Sequence, residues 1–268
     1  DEEIGRMSAI QAESLMGTVA STLKDEINAK NPSLDCELPF DGSRFSALLP
    51  PLVDAPMFCI RKKAIMVFTL ADYVQARIMT EAQRAVIEMS VVEKDNILIV
   101  GGTGTGKTTL ANAVINHITE ECLNDRLVIL EDTRELQCTS KNVGKLRSSE
   151  TVSMTKLLKK TLRLNPDRII VGEVRDGAAL DMLDAWNTGH PGGIATLHAN
   201  PGRSIFTRLE RLVSLATQSP MQGFIADALD IVIYIEKFAG KRRIKEIFRV
   251  TGHDGQKYLT EAIGGVHV

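Results

Sequence analysis

Residues Gly101-Gly-Thr-Gly-Thr-Gly-Lys-Thr108 constrain this chain more than any other stretch. They carry the spacing G-x-x-x-x-G-K-[ST], in which a glycine loop wraps backbone N–H groups around a phosphate. The flanks agree with it. Asn96–Val100 is a short apolar run with strand character, and Thr109–Ile118 places its apolar residues at helical spacing. Glycine lets the backbone curl around an anion without Cβ clashes. The following helix adds the partial positive charge of its N-terminus. Gly101, Gly102, Thr103, Gly104, Thr105, Gly106, Lys107, Thr108 and Thr109 are therefore the expected nucleotide-phosphate contacts. Lys107 is expected to reach the β- and γ-phosphates, and Thr108 to offer its hydroxyl to Mg²⁺.

The chain has 268 residues, 44% hydrophobic and 25% charged, enough for one large domain or two smaller ones. A net charge of −2 gives no overall basic field to hold nucleic acid, so direct nucleic-acid binding is not expected. The basic cluster Lys241-Arg-Arg243 reads first as a solvated hairpin edge. Cys36, Cys59, Cys122 and Cys138 form no C-x-x-C pair, which argues against zinc and for a reducing compartment. No apolar run approaches the ~20 residues of a membrane span, and no secretory signal is visible. The chain starts at Asp1 rather than Met, and its N-terminal domain is expected to lack its beginning.

Two regions read differently. Residues 1–30 carry Ile4, Met7, Ile10, Leu15, Val19 and Leu23 at helical spacing. Asp35–Pro39, Ser43–Leu49 and Met57–Arg61 read as short strands punctuated by Gly42, Pro50, Pro51 and Pro56. This predicts a small α+β domain over 1–63, then a partly helical linker over 64–80. From Glu81 to the end, strands and helices alternate. Strands are expected at Asn96–Val100, Arg126–Glu131, Arg168–Gly172, Ile194–Leu197 and Ile231–Ile235. Helices are expected at Lys107–Thr119, Ser153–Leu164, Gly177–Asn187 and Arg203–Ala216, with a closing hairpin around Gly252–Gly255. That alternation implies an α/β domain over 81–268 with a mainly parallel sheet covered on both faces. Ligands of such sheets bind beyond the carboxyl ends of the strands.

Three polar clusters fall at such ends. The strand Leu127–Leu130 delivers Glu131 and Asp132, and Glu131 is placed to orient a water against a γ-phosphate. The alternative for this acidic pair is a solvated strand end bridged to Arg134. The strand Arg168–Gly172 ends in Glu173, a candidate for holding Mg²⁺ through its water shell, with Asp176 read as a helix cap. The segment Gly189–Asn200 brings His190 and His198, whose spacing suits a site lining or a γ-phosphate sensor better than a metal. For either histidine the alternative is a structural hydrogen bond.

Together these motifs resemble the secretion ATPases of the type II/type IV secretion superfamily, and most closely its conjugal-transfer branch. Gly101–Thr109 resembles the family's Walker A loop, Ile129–Thr133 its Asp box, Ile170–Asp176 its Walker B, in which Glu is usual, and Gly189–Asn200 its His box. The resemblance implies a RecA-like domain behind a small PAS-like N-domain. It also implies Mg²⁺-dependent ATP hydrolysis in a homo-hexameric ring, serving a secretion or conjugation machine from the cytoplasmic side of the inner membrane. It casts Arg44 and Arg61, with Arg134, as arginines that stabilise transition-state charge, whereas the residues alone leave Arg44 and Arg61 as surface strand charge. Between Glu131 and Glu173 the choice of water-activating base stays open. Two features depart from the family: no strands precede the first helix, and the four-cysteine zinc module of the type II branch is missing. The same motifs serve pilus extension and retraction motors, and a nucleotide-gated scaffold with slow turnover is the non-motor alternative. A DNA translocase fits poorly with the net charge and the lack of aromatic interleaving.

Overall fold

The computed structural model describes residues 3, 5–62, 66–200 and 204–265. It divides into two compact units, Asp1–Ile65 and Met66–Val268. The boundary expected at Lys63, the first two linker residues and the Arg203 start of a predicted helix lie outside the described residues.

The first unit is α1 (Ala9–Thr22) with three antiparallel strands, β1 (Ser33–Glu37), β2 (Arg44–Leu48) and β3 (Met57–Arg61). Ser8 and Gln11 close a reciprocal capping box that starts α1. One face of the helix buries Ala12, Met16, Val19 and Ala20 in a core with Leu34, Phe45 and Ala47. In this register Arg44 stands directly opposite Arg61.

The second unit opens with α2 (Leu70–Gln75) and α3 (Glu81–Val92), each started by a capping box, from Thr69 and Thr80. Leu70–Gln75 lies in the stretch read as a linker, yet Leu70 and Tyr73 are buried in the second unit's core. Then β4 (Ile97–Gly101), α4 (Lys107–Glu121), β5 (Leu127–Glu131) and β6 (Val143–Arg147) follow. After them come α5 (Met154–Thr161), β7 (Arg168–Val174), α6 (Ala178–Asn187) and β8 (Ile194–His198). The chain closes with α7 (Ser204–Val213), α8 (Gln222–Ala228), β9 (Ile231–Phe238), β10 (Lys241–His253) and β11 (Tyr258–Ile263).

The result is an α/β fold with one mixed, mostly parallel sheet in the order β11-β10-β9-β4-β8-β7-β5-β6. The strands from β9 to β6 run parallel, and β10 and β11 are antiparallel additions. Successive strand residues alternate between two cores. Leu98, Val100, Val128, Leu130 and Ala195 face one, and Ile97, Ile99, Ile129 and Ile194 face the other. That double burial is why these strands read as continuous apolar runs.

Packing is tightest where Gly193 enters β8. A Cβ there would overlap the indole of Trp186, whose Nε1 donates to the Ile169 carbonyl at 3.1 Å. Gly193→Ala must push the ring away and break that bond. We expect a loss of about 3 kcal/mol, read as a lower urea midpoint at unchanged slope.

Candidate functional site

β4 ends at Gly101, where a Cβ would collide with the Ile235 carbonyl of β9. Only glycine permits that approach. The chain then turns through Gly104 (φ 69°) and Gly106 (φ 101°), left-handed conformations that aim successive amides inward. Gly106 is the N-cap of α4 and offers no side-chain cap. The first amides of the helix are thus left for a ligand. Thr105 steadies the loop by donating from Oγ1 to the Gly102 carbonyl at 3.0 Å.

Lys107 is buried at the start of α4. Its Nζ donates to the Gly102 carbonyl at 2.9 Å and lies 3.1 Å from His198 Nε2. His198 ends β8, in register with Gly101 of β4. The same Nε2 is 3.4 Å from Glu173 Oε1, and the other Glu173 oxygen accepts from Arg175 Nη2 at 2.6 Å. The register of β7 against β8 shifts between Val171 and Val174. This irregularity falls at Glu173 and redirects its side chain, as bulges beside functional sites do.

The charges interlock. Burial raises the Glu173 carboxyl, but Arg175, His198 and Lys107 outweigh it and hold the group below its ordinary range. Burial and then Lys107 hold the His198 imidazole below its usual value, against the pull of Glu173. His198 thus stands between a cation and an anion, with the balance of burial and Lys107 favouring its neutral form.

Glu131 has a different setting. It is 5% exposed at the end of β5, and its side chain packs over Gly172 of β7, where a Cβ would stand 3.0 Å from Glu131 Cγ. Its Oε1 accepts the N–H groups of Glu135 and Leu136 at 2.8 and 2.7 Å. Burial raises its pKa, and those two bonds lower it in part. The loop that Glu131 latches brings Glu135 to Thr108, with Thr108 Oγ1 donating to Glu135 Oε2 at 3.3 Å. Asn112 of α4 holds the same loop, donating to the Glu135 carbonyl and accepting from Gln137 N. Sequence reading passed over Glu135, Asn112 and Arg175. Glu135 lies two residues beyond the Asp box, and only the latch shows that it turns back toward α4.

The remaining candidates fall in several places. Asp132 accepts from Ser148 Oγ and lies 3.7 Å from Arg175 Nη1. Arg134 is exposed in the loop after β5. Asp176 accepts the Ala178 N–H at 2.9 Å, just before α6. His190 hydrogen-bonds the Pro166 carbonyl at 2.9 Å, a structural role. Arg44 and Arg61 belong to the first unit, paired across β2 and β3. Thr108 Oγ1 and Glu135 Oε2 stand side by side at the first turn of α4, two hard oxygen donors of the kind Mg²⁺ prefers.

A family model described as type II/IV secretion system protein matches residues 10–261. The chain belongs to that family. A relative described as a probable conjugal transfer protein TrbB, from Sinorhizobium fredii, is 50% identical over 258 residues, covering 96% of this chain and 79% of the relative. The crystal structure of the VirB11 ATPase from the Brucella suis type IV secretion system is 27% identical, with a TM-score of 0.58 over 90% of this chain and 80% of that one. The Legionella pneumophila ATPase DotB, 20% identical, shares the fold with a TM-score of 0.66 over 91% of this chain and 70% of that one. The secretion family thus accounts for nearly the whole chain, and the four motifs named above all lie inside the matched span.

Proposed function

We propose that this chain is a Mg²⁺-dependent ATPase that hydrolyses ATP to ADP and phosphate to power a conjugative type IV secretion apparatus. The observation that carries this reading is the contact chain Lys107–His198–Glu173 at the mouth of the phosphate loop. The start of α4 and the strands β8 and β7 bring a cation, an imidazole and a carboxylate, separated in sequence, to one anion-binding turn.

In this scheme the loop amides and Lys107 hold the β- and γ-phosphates. Thr108, with Glu173 through the water shell, would hold Mg²⁺, which would supply charge neutralisation at the phosphates. Glu173 orients the attacking water, a role supported by a carboxylate that Arg175 and Lys107 hold in its ionised, accepting form beside the phosphate loop. His198, neutral and beside Lys107, senses the terminal phosphate. Glu131 acts through its loop, because one oxygen is committed to two backbone amides. Arg44, Arg61 and Arg134 supply guanidinium charge in the transition state.

The first unit, a helix with three antiparallel strands, serves as the PAS-like N-domain, and the second as the RecA-like engine. The working form is a homo-hexamer, peripheral to the cytoplasmic face of the inner membrane and docked on other components of the transfer machine. No helix among the described residues is long and apolar enough to cross a membrane. Phosphate release by the purified chain, with mass measured by sedimentation, tests the activity and the ring together. No nucleotide-dependent phosphate release would refute the reading.

Shared active sites have a kinetic signature. Arg61→Ala subunits mixed into wild-type rings should depress hydrolysis below the wild-type fraction, because each inactive arginine silences a neighbour's site. Titrating the mixing ratio checks this. Activity strictly proportional to the wild-type fraction would mean that each subunit works alone.

A further inference from the structure

The strand order places β4 between two parallel neighbours, β8 and β9. The β8 side carries His198 and, one strand further, Glu173. The β9 side carries a second set of charges that no motif predicts. The hairpin joining β9 to β10 returns across the phosphate loop. Lys237 Nζ lies 3.6 Å from where a Cβ on Gly104 would stand, and Arg242 Cδ and Nε lie 3.1 and 3.2 Å from the same position on Gly106. Both side chains therefore rest on the two left-handed glycines of the loop.

These two cations are directly opposite each other in the β9–β10 register. Like charges so placed repel and weaken a hairpin. The other cations on this hairpin's inner stretch have partners: Arg243 and Lys245 pair with Glu236 at 2.9 and 3.9 Å. Among the described residues, neither Lys237 nor Arg242 has a carboxylate within 4.0 Å. Arg242 also lies near the buried Tyr73 hydroxyl, and both side chains approach the positive end of α4. Positive charge gathered around a turn that already attracts anions is unfavourable until an anion arrives.

We propose that Lys237 and Arg242 form a second phosphate-binding element that grips the nucleotide at the adenosine end of its polyphosphate chain. The assignment rests on the phosphate loop being the nucleotide site. The end is set by topology: the γ-facing residues His198 and Glu173 lie on the opposite flank of β4. The pair therefore touches phosphates that ADP and ATP share. It retains nucleotide through turnover and does not read the γ-phosphate.

The test uses the full chain and two fluorescent probes, an ADP derivative and a non-hydrolysable ATP derivative. Lys237→Gln with Arg242→Gln should weaken both by about tenfold or more, in equal proportion. The salt dependence of binding should become shallower. Thermal stability should hold or rise, since a repulsive pair has been removed. Lys237→Arg with Arg242→Lys, which keeps both charges, should bind within about threefold of wild type. Wild-type affinity in the glutamine pair would overturn the proposal, and so would a loss confined to the ATP derivative. If Lys107→Ala also binds as wild type does, the fault lies with the nucleotide site itself and not with the hairpin.

Discussion

Lys107→Ala should leave the fold intact and abolish hydrolysis. The Lys107 ammonium is buried at the foot of α4, where it donates to a loop carbonyl and stands against a histidine. Those contacts keep it aimed into the turn. Replacing it removes a charge-assisted bond to phosphate, so nucleotide affinity should fall by about tenfold to a hundredfold. Phosphate release should drop below detection, because the developing charge on the transferred group loses its nearest fixed cation. The missing side chain leaves room at a site built for a ligand, so the melting temperature of the nucleotide-free protein should move little. Appreciable turnover in this variant would remove the loop from the chemistry.

Glu173→Gln is expected to trap nucleotide. The amide keeps the size of the side chain and one acceptor oxygen, but it neither takes a proton nor carries charge. Hydrolysis should fall by about a hundredfold to ten-thousandfold while ATP binding persists. Glu131→Gln makes the contrast. Its oxygen still accepts from Glu135 N and Leu136 N, so the loop beside Thr108 stays in place and most activity should survive. Glu131→Ala, which releases that loop, should cost far more. Single-turnover measurements on the three variants decide the matter. Equal loss in Glu173→Gln and Glu131→Gln would make Glu131 a direct participant in water activation.

The strands of the large sheet were legible because burial on both faces leaves an uninterrupted apolar run, as in Ile97–Val100 and Leu127–Leu130. The phosphate loop was legible because its backbone demands glycine at fixed offsets. Arg168–Gly172 and Ile194–Leu197 were read as strands; the first runs on through Glu173 to Val174 and the second to His198. β6 was missed: Val143–Arg147 is an edge strand with alternating exposure and no continuous apolar signal. α8 is only seven residues, too short for a helical period to stand out. The histidines could not be ranked by spacing. His190 went to a carbonyl and His198 to the phosphate loop because only the second ends a strand beside β4. Glu135, Lys237 and Arg242 were beyond reach for the same reason. Their roles depend on which strands are neighbours and on where a loop is pinned, and both are long-range facts.

The contact between Gly101 and the Ile235 carbonyl carries one more consequence. With no space between them, the end of β4 and the root of the following hairpin cannot slide past each other. The end of β4 and the strand leading into the β9–β10 hairpin are packed backbone against backbone. Motion that accompanies turnover is left to the opposite flank, where Glu131 and Asn112 tether the segment carrying Glu135 through four hydrogen bonds.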